Sequence, residues 1–194
     1  DKSAHVSAIR NYDNEDVLHK VEQMGVKLKP SRSVRQVHRF SPSGLSSTSY
    51  SDTALFYMFD RGGAASSIEQ QLHKQALAKG VKVLFNSRKR GADIIATGPS
   101  RSNANIFCHG MMYDGEVDDV YMFYDTYLAP KGYISVLPSK NQFQVCVVSF
   151  QKPASMLEKR YEEAVARFPV LSNLIGESNP IGIVRGTGSY FKPI

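Results

Sequence analysis

Residues 118–151 contain three β-rich runs in close succession: "DDVYMFYDTYLA" (118–129), "GYISVLP" (132–138) and "FQVCVVSFQ" (143–151). The stretches "PKG" and "SKNQ" between them supply turns. Parallel strands need a crossover of about a dozen residues or more. Runs joined this tightly therefore pair antiparallel, as a meander. That commits a large share of the chain to a sheet whose successive strands are neighbours.

The rest of the pattern adds helices and further strands. "HVSAIRNY" (5–12) reads as a strand. In "DNEDVLHKVEQMG", Asp13 is placed to cap a helix, Glu15 and Asp16 suit its first turn, and Val17, Leu18, Val21 and Met24 form a stripe. "SVRQVHRFS" (33–41) alternates unevenly and reads as one strand, and the Ser/Gly/Pro-rich stretch after it as a loop or hairpin tip. "ALFYMF" (54–59) is a strand. Ser66 and Glu69 then have capping-box spacing, Ile68, Leu72 and Ala76 recur on one helix face, and Gly80 suits a helix end. Residues 81–87 and 92–98 read as two more strands. "PASMLEKRYEEAVARFP" is a late helix ended by Pro169, and "IGIVRGTGSYFKPI" a last candidate strand. The expected fold class is α+β, a mixed or antiparallel sheet with helices packed on it, in a single domain over 1–194.

Composition excludes several functions. With 42% hydrophobic and 22% charged residues the chain is neither disordered nor membrane-spanning. The first residues lack a basic stretch before an apolar core, which reads as no signal peptide. Two cysteines, Cys108 and Cys146, suit reduced thiols in a cytoplasm, with a single bridge as the alternative. The net charge of +6 sits mainly in "KPSRSVRQVHR" and "NSRKRG". Both read as solvated faces, and no nucleic-acid-binding signature accompanies them. No phosphate loop, dinucleotide fingerprint, nucleophile elbow or zinc spacing occurs. The paired acids Asp118-Asp119 and Glu162-Glu163 read as solvated charges. No catalytic residue and no metal site is assigned.

Three stretches go further together. "FYMFDRGGAASSIEQQLHKQALAKG" resembles the strand, arginine, helix and glycine segment of flavoprotein hydroxylases of the p-hydroxybenzoate hydroxylase fold and of geranylgeranyl reductases. Arg61, Leu72, Ala76 and Gly80 fall at that pattern's positions, with Glu69 replacing the usual aspartate. "ADIIATGPSRSN" (92–103) resembles the strand and turn that approach the flavin in two-dinucleotide-domain flavoproteins. "APKGYISVLPS" (129–139) is similar to the P-x-G-Y-x-W-x-F-P-K motif of geranylgeranyl reductases. Pro130, Gly132, Tyr133 and Pro138 match it, while Ser135, Leu137 and Ser139 replace Trp, Phe and Lys.

The resemblance implies the substrate-side part of an FAD-dependent oxidoreductase acting on an apolar isoprenoid or aromatic substrate, with a nicotinamide as possible reductant. It places Arg61, Thr97, Gly98 and Pro99 beside the flavin and Pro130, Gly132, Tyr133 and Pro138 beside the substrate. An arginine fork suits a diphosphate, a glycine lets backbone approach a planar ring, and tyrosine offers an apolar ring with one polar tip. The family's N-terminal glycine-rich unit and C-terminal G-D motif are not in this sequence. FAD is therefore expected in a larger parent protein and not on this chain alone, which is expected to be inactive by itself. The competing reading is a non-catalytic module that binds a lipid or another small apolar ligand. Peripheral membrane contact and self-association remain compatible with either. Apolar surface is expected around Ile94, Ile95 and the helix at 66–79.

Overall fold

The computed structural model describes residues 5–11, 15–87, 91–94, 104–151 and 156–188. In chain order its elements are β1 (His5–Arg10), α1 (Val17–Gln23), β2 (Arg32–Val34), β3 (Gln36–Phe40), β4 (Ser46–Tyr50), β5 (Phe56–Arg61), α2 (Ile68–Ala78), β6 (Ile106–Asp114), β7 (Val120–Phe123), β8 (Tyr133–Pro138), β9 (Gln142–Ser149), α3 (Leu157–Arg167), α4 (Pro169–Ile175) and β10 (Pro180–Gly188). A seven-stranded sheet has the order β10-β6-β9-β8-β7-β3-β4, and a three-stranded sheet the order β1-β5-β2. Among the described residues only the β3–β7 pair is parallel. The architecture is α+β with a mixed sheet, and β7, β8 and β9 form the expected meander.

Two cores lie on the two faces of the large sheet. On one face Leu157, Tyr161 and Ala164 of α3 and Leu171 of α4 pack on Phe107, Phe123, Ile134, Val136, Phe143, Val145 and Val147. Such side chains contribute about 1.5–3 kcal/mol each when fully buried. On the other face Val6, Val34 and Met58, from the small sheet, meet Val37, Met112, Val120, Cys146 and Val184. Polar links reinforce this second contact. The backbone N–H of Val6 donates to Gln144 Oε1 at 2.8 Å, and Arg32 Nε donates to the Ser139 carbonyl at 3.0 Å.

The structure redraws several expected elements. Residues 33–41 are two strands in two sheets, β2 and β3, broken at Arg35. Val34 and Val37 are three residues apart, so one regular strand would send them to opposite faces. The break lets both enter the same core. The serine-rich stretch contains β4, fully exposed, paired to β3 through its backbone as a polar sheet edge. β6 carries no strand alternation in the sequence because both its faces are covered. It also carries Gly110, where a Cβ would stand 1.9 Å from the Val145 carbonyl oxygen. Pro169 does not end the helical region but opens α4, since its fixed φ suits a first helical turn.

The caps shift too. Asp16, not Asp13, caps α1, its carboxylate accepting from the N–H groups of Leu18 (2.8 Å) and His19 (3.2 Å). Ser67, not Ser66, caps α2 by accepting from Gln70 N–H at 3.3 Å. Ser66 instead donates to Asp60. Residues 81–87 form no strand, and neither do the described residues 91–94. Asn86 has φ +53°, which breaks extended backbone. Val81, Leu84, Phe85 and Ile94 are exposed, as are Leu72 and Leu77 of α2. The apolar surface expected around Ile94 and α2 is therefore present among the described residues, while Ile95 lies outside them. No helix among the described residues is long and apolar enough to cross a membrane.

Candidate functional site

Residues directly opposite each other on paired strands project to the same side of a sheet. The register therefore lays out rows across the face that meets the small sheet. One row runs Tyr133, Val148, Cys108, Gly186 across β8, β9, β6 and β10. The next runs Arg39, Met122, Ser135, Cys146, Gly110, Val184. A third contains Leu137, Gln144, Met112 and Gly182. The small sheet covers the third row through the Val6–Gln144 bond and leaves the first more open. Met112 is fully buried, whereas Tyr133, Val148 and Cys108 are only half-buried.

This open row is the candidate site. Val148 in this row and Met122 in the next give it an apolar floor. Burial raises the Tyr133 phenol above its ordinary value, and the neighbouring Cys108, Tyr124 and Cys146 add to the effect. Tyr133 is thus neutral at physiological pH and presents an O–H donor on an apolar surface. A depression of about 290 Å³ at the β3–β4 hairpin is lined by Arg39, Phe40, Ser41, Leu45, Ser46, Ser47 and Tyr124. Arg39 donates to Ser49 Oγ at 2.7 Å. It stands opposite both Met122 and Ser47, so it connects this depression to the second row.

The residues expected at a substrate site are only partly brought together. Tyr133 lies on the open face. Pro138, five residues on along β8, points to the opposite face, where it pairs with Phe143. Pro130 is in the preceding turn, where its carbonyl accepts from Ser149 Oγ at 3.1 Å and Phe150 N–H at 3.2 Å. Gly132 is pressed against β9: a Cβ there would lie 1.9 Å from the Val148 carbonyl oxygen. Close strand approach is reason enough for a glycine at this position.

On the cofactor side, Arg61 ends β5 with its guanidinium engaged. Its Nε donates to the Glu69 carboxylate and its Nη1 to Ser7 Oγ at 3.2 Å. Thr97, Gly98 and Pro99 lie outside the described residues. Burial pushes the Glu69 carboxyl up, but the Arg61 hydrogen bond and the Gly62 N–H outweigh it and hold it below the usual 4.5. A lowered folded pKa gives stability that is present above the unfolded pKa and is lost as pH falls through the folded one. Both groups are more than a third exposed, so the pair is worth about 1 kcal/mol or less. Glu69→Gln is expected to lower the urea midpoint at pH 7, with the gap to wild type closing below pH 4.5. A gap unchanged at pH 3.5, on the order of one unit lower, rules out this role.

Some residues gained partners that spacing alone did not suggest. Asp118 accepts from Arg32 at 2.7 Å but stays exposed, whereas the half-buried Asp119 pairs with His38 at 3.1 Å and is not simply a solvated charge. His38 also meets Thr48 Oγ1 at 3.0 Å and stacks on Tyr121. Cys108 carries no site signal in the sequence because strand register, which local spacing does not carry, brings it into the row of Tyr133.

No protein-family model matches the chain, and no curated protein matches it. Among solved structures, one match is the crystal structure of a geranylgeranyl bacteriochlorophyll reductase-like protein from Thermoplasma acidophilum. It superposes over 94% of this chain with a TM-score of 0.64 at 13% identity. The two share a fold. The chain covers 55% of that protein, so it spans about half its length. At this identity the likeness concerns architecture, and the reductase-like fold carries no residue assignment by itself.

Proposed function

We propose that this chain is the substrate-side part of an FAD-dependent oxidoreductase that acts on an apolar isoprenoid or aromatic substrate. The observation that carries the reading is the shared fold with a geranylgeranyl bacteriochlorophyll reductase-like protein over 94% of the chain. Tyr133, in the reductase-like "PKGY" stretch, stands on the open face of that fold.

In this reading Val148 and Met122 support the apolar part of the substrate, and the neutral Tyr133 hydroxyl orients its polar end. FAD, when bound, supplies the hydride chemistry. The described residues do not form a diphosphate cradle for it. The arginine expected there is already committed to Glu69 and Ser7, and the Gly98 turn lies outside the described residues. In this reading the cofactor's main contacts belong to further sequence of a larger protein. The exposed Leu72, Leu77, Leu84, Phe85 and Ile94 offer apolar surface for that remainder to cover.

The test is flavin content and turnover of the full reading frame. Flavin absorbance is expected to survive gel filtration of the full protein and to be absent from residues 1–194 alone. Tyr133→Phe is expected to keep the flavin and lower kcat/KM about fivefold, the worth of one hydrogen bond near 1 kcal/mol. A full-length protein without flavin sinks the oxidoreductase reading and leaves a binding module, which uptake of an apolar fluorophore would then detect.

A further inference from the structure

Cys108 and Cys146 are the only cysteines in the sequence, and they lie on the adjacent strands β6 and β9 of the large sheet. Cys108 stands opposite Val148 and Cys146 opposite Gly110. The two are therefore diagonal neighbours on one face. The two thiols are close enough to perturb each other's ionisation.

Two glycines make room for this contact. A Cβ at Gly186, opposite Cys108, would lie 2.8 Å from the Cys108 sulfur. A Cβ at Gly110 would lie 2.7 Å from the Cys146 sulfur. Access to the two thiols is unequal. Cys108 is half-buried in the same open row as Tyr133, while Cys146 is 1% exposed. Of the two residues, only Cys108 retains exposure to solvent.

We infer that Cys108 and Cys146 form a hydroperoxide-responsive dithiol, in which Cys108 is oxidised first and Cys146 resolves it as a disulfide. The electrostatics agree with this division of roles. The neighbouring Cys146 thiol, opposed by burial and assisted by the Gly186 N–H, holds the Cys108 thiol below its ordinary value. The Cys108 thiol, together with burial, pushes Cys146 well up. Cys108 is thus the better source of thiolate.

The chemistry balances in two steps. The Cys108 thiolate attacks one peroxide oxygen, so an S–O bond forms and the O–O bond breaks. The sulfur loses two electrons, and the peroxide is reduced to hydroxide and a sulfenic acid oxygen. Cys146 sulfur then attacks the Cys108 sulfur. An S–S bond forms, the S–O bond breaks, and the departing hydroxide leaves as water with the Cys146 proton. Diagonal neighbours stand about 7–8 Å apart, just beyond the roughly 7 Å between Cα atoms that a disulfide spans. Closure therefore needs local backbone movement in β6 or β9, on the face that carries Tyr133. The inference stands whether or not the protein holds flavin.

The experiment treats the protein with hydrogen peroxide at a few equivalents, alkylates it and maps its peptides by mass. The expected product joins the Cys108 and Cys146 peptides and is reversed by dithiothreitol. In Cys146→Ser, dimedone is expected to trap a sulfenic acid on Cys108. In Cys108→Ser, the buried Cys146 is expected to oxidise at least about tenfold more slowly than Cys108 does in the wild type. Circular dichroism checks that both variants are folded. The wild-type result does not depend on either variant. Cys108 still reduced after peroxide has consumed free cysteine in the same tube overturns the proposal, as does dimedone labelling of Cys146 ahead of Cys108.

Discussion

Gly132→Ala is expected to destabilise the fold by about 3 kcal/mol, a large share of the roughly 5–15 kcal/mol that holds a domain together. The added methyl would sit 1.9 Å from the Val148 carbonyl oxygen and 2.8 Å from its carbon. Those atoms are backbone, and Val148 lies in the ladder that joins β9 to both β8 and β6. Neither strand can move aside without loosening the other pairing. Gly132 also closes the turn into β8, its N–H donating to the Ala129 carbonyl at 2.9 Å. Urea unfolding measures the effect, with the midpoint expected to drop by about 1–2 M. A drop much below that range would mean that the strand pair has slack. The resemblance to the reductase motif would then have to explain this glycine by a ligand instead.

Phe123→Ala is expected to cost about 3–5 kcal/mol, the usual result of emptying a buried phenylalanine site. Phe123 is 0% exposed, and its ring lies 5.0 Å from those of both Phe40 and Phe168. It therefore joins the parallel β3–β7 pair to the start of α4. The cavity would open between elements held by separate backbone networks, which limits its collapse. The same urea titration reads the loss. A cost below about 1 kcal/mol would show that α4 moves in to fill the space, which would contradict the packing described.

Local pattern revealed much of this architecture. The runs at 132–138 and 143–151 appear as β8 and β9 nearly at their expected ends, because short turns leave consecutive strands little choice but to pair. The α3 helix was legible from its apolar stripe, and Leu157, Tyr161 and Ala164 are indeed its buried residues. Signals failed where a second element overrode the local one. Residues 33–41 split because two sheets compete for Val34 and Val37. β6 is buried on both faces and shows no alternation. Residues 81–87 have strand-like composition but, among the described residues, no strand to pair with.

The site divides along the same line. Tyr133 was marked by its "PKGY" context, and the structure places it on the open face. Pro138 was marked by the same motif, but strand alternation turns it to the helix side. The amino-acid sequence by itself determined an α+β chain with an antiparallel meander, a capped helix after β5 and a tyrosine at the start of β8, since each depends on neighbours a few residues away. Only the tertiary structure decided that Cys108 and Cys146 are diagonal neighbours on one sheet face, or that Arg61 is held by Glu69 and Ser7. Those contacts are set by strand register and sheet packing, and register is a property of two segments together.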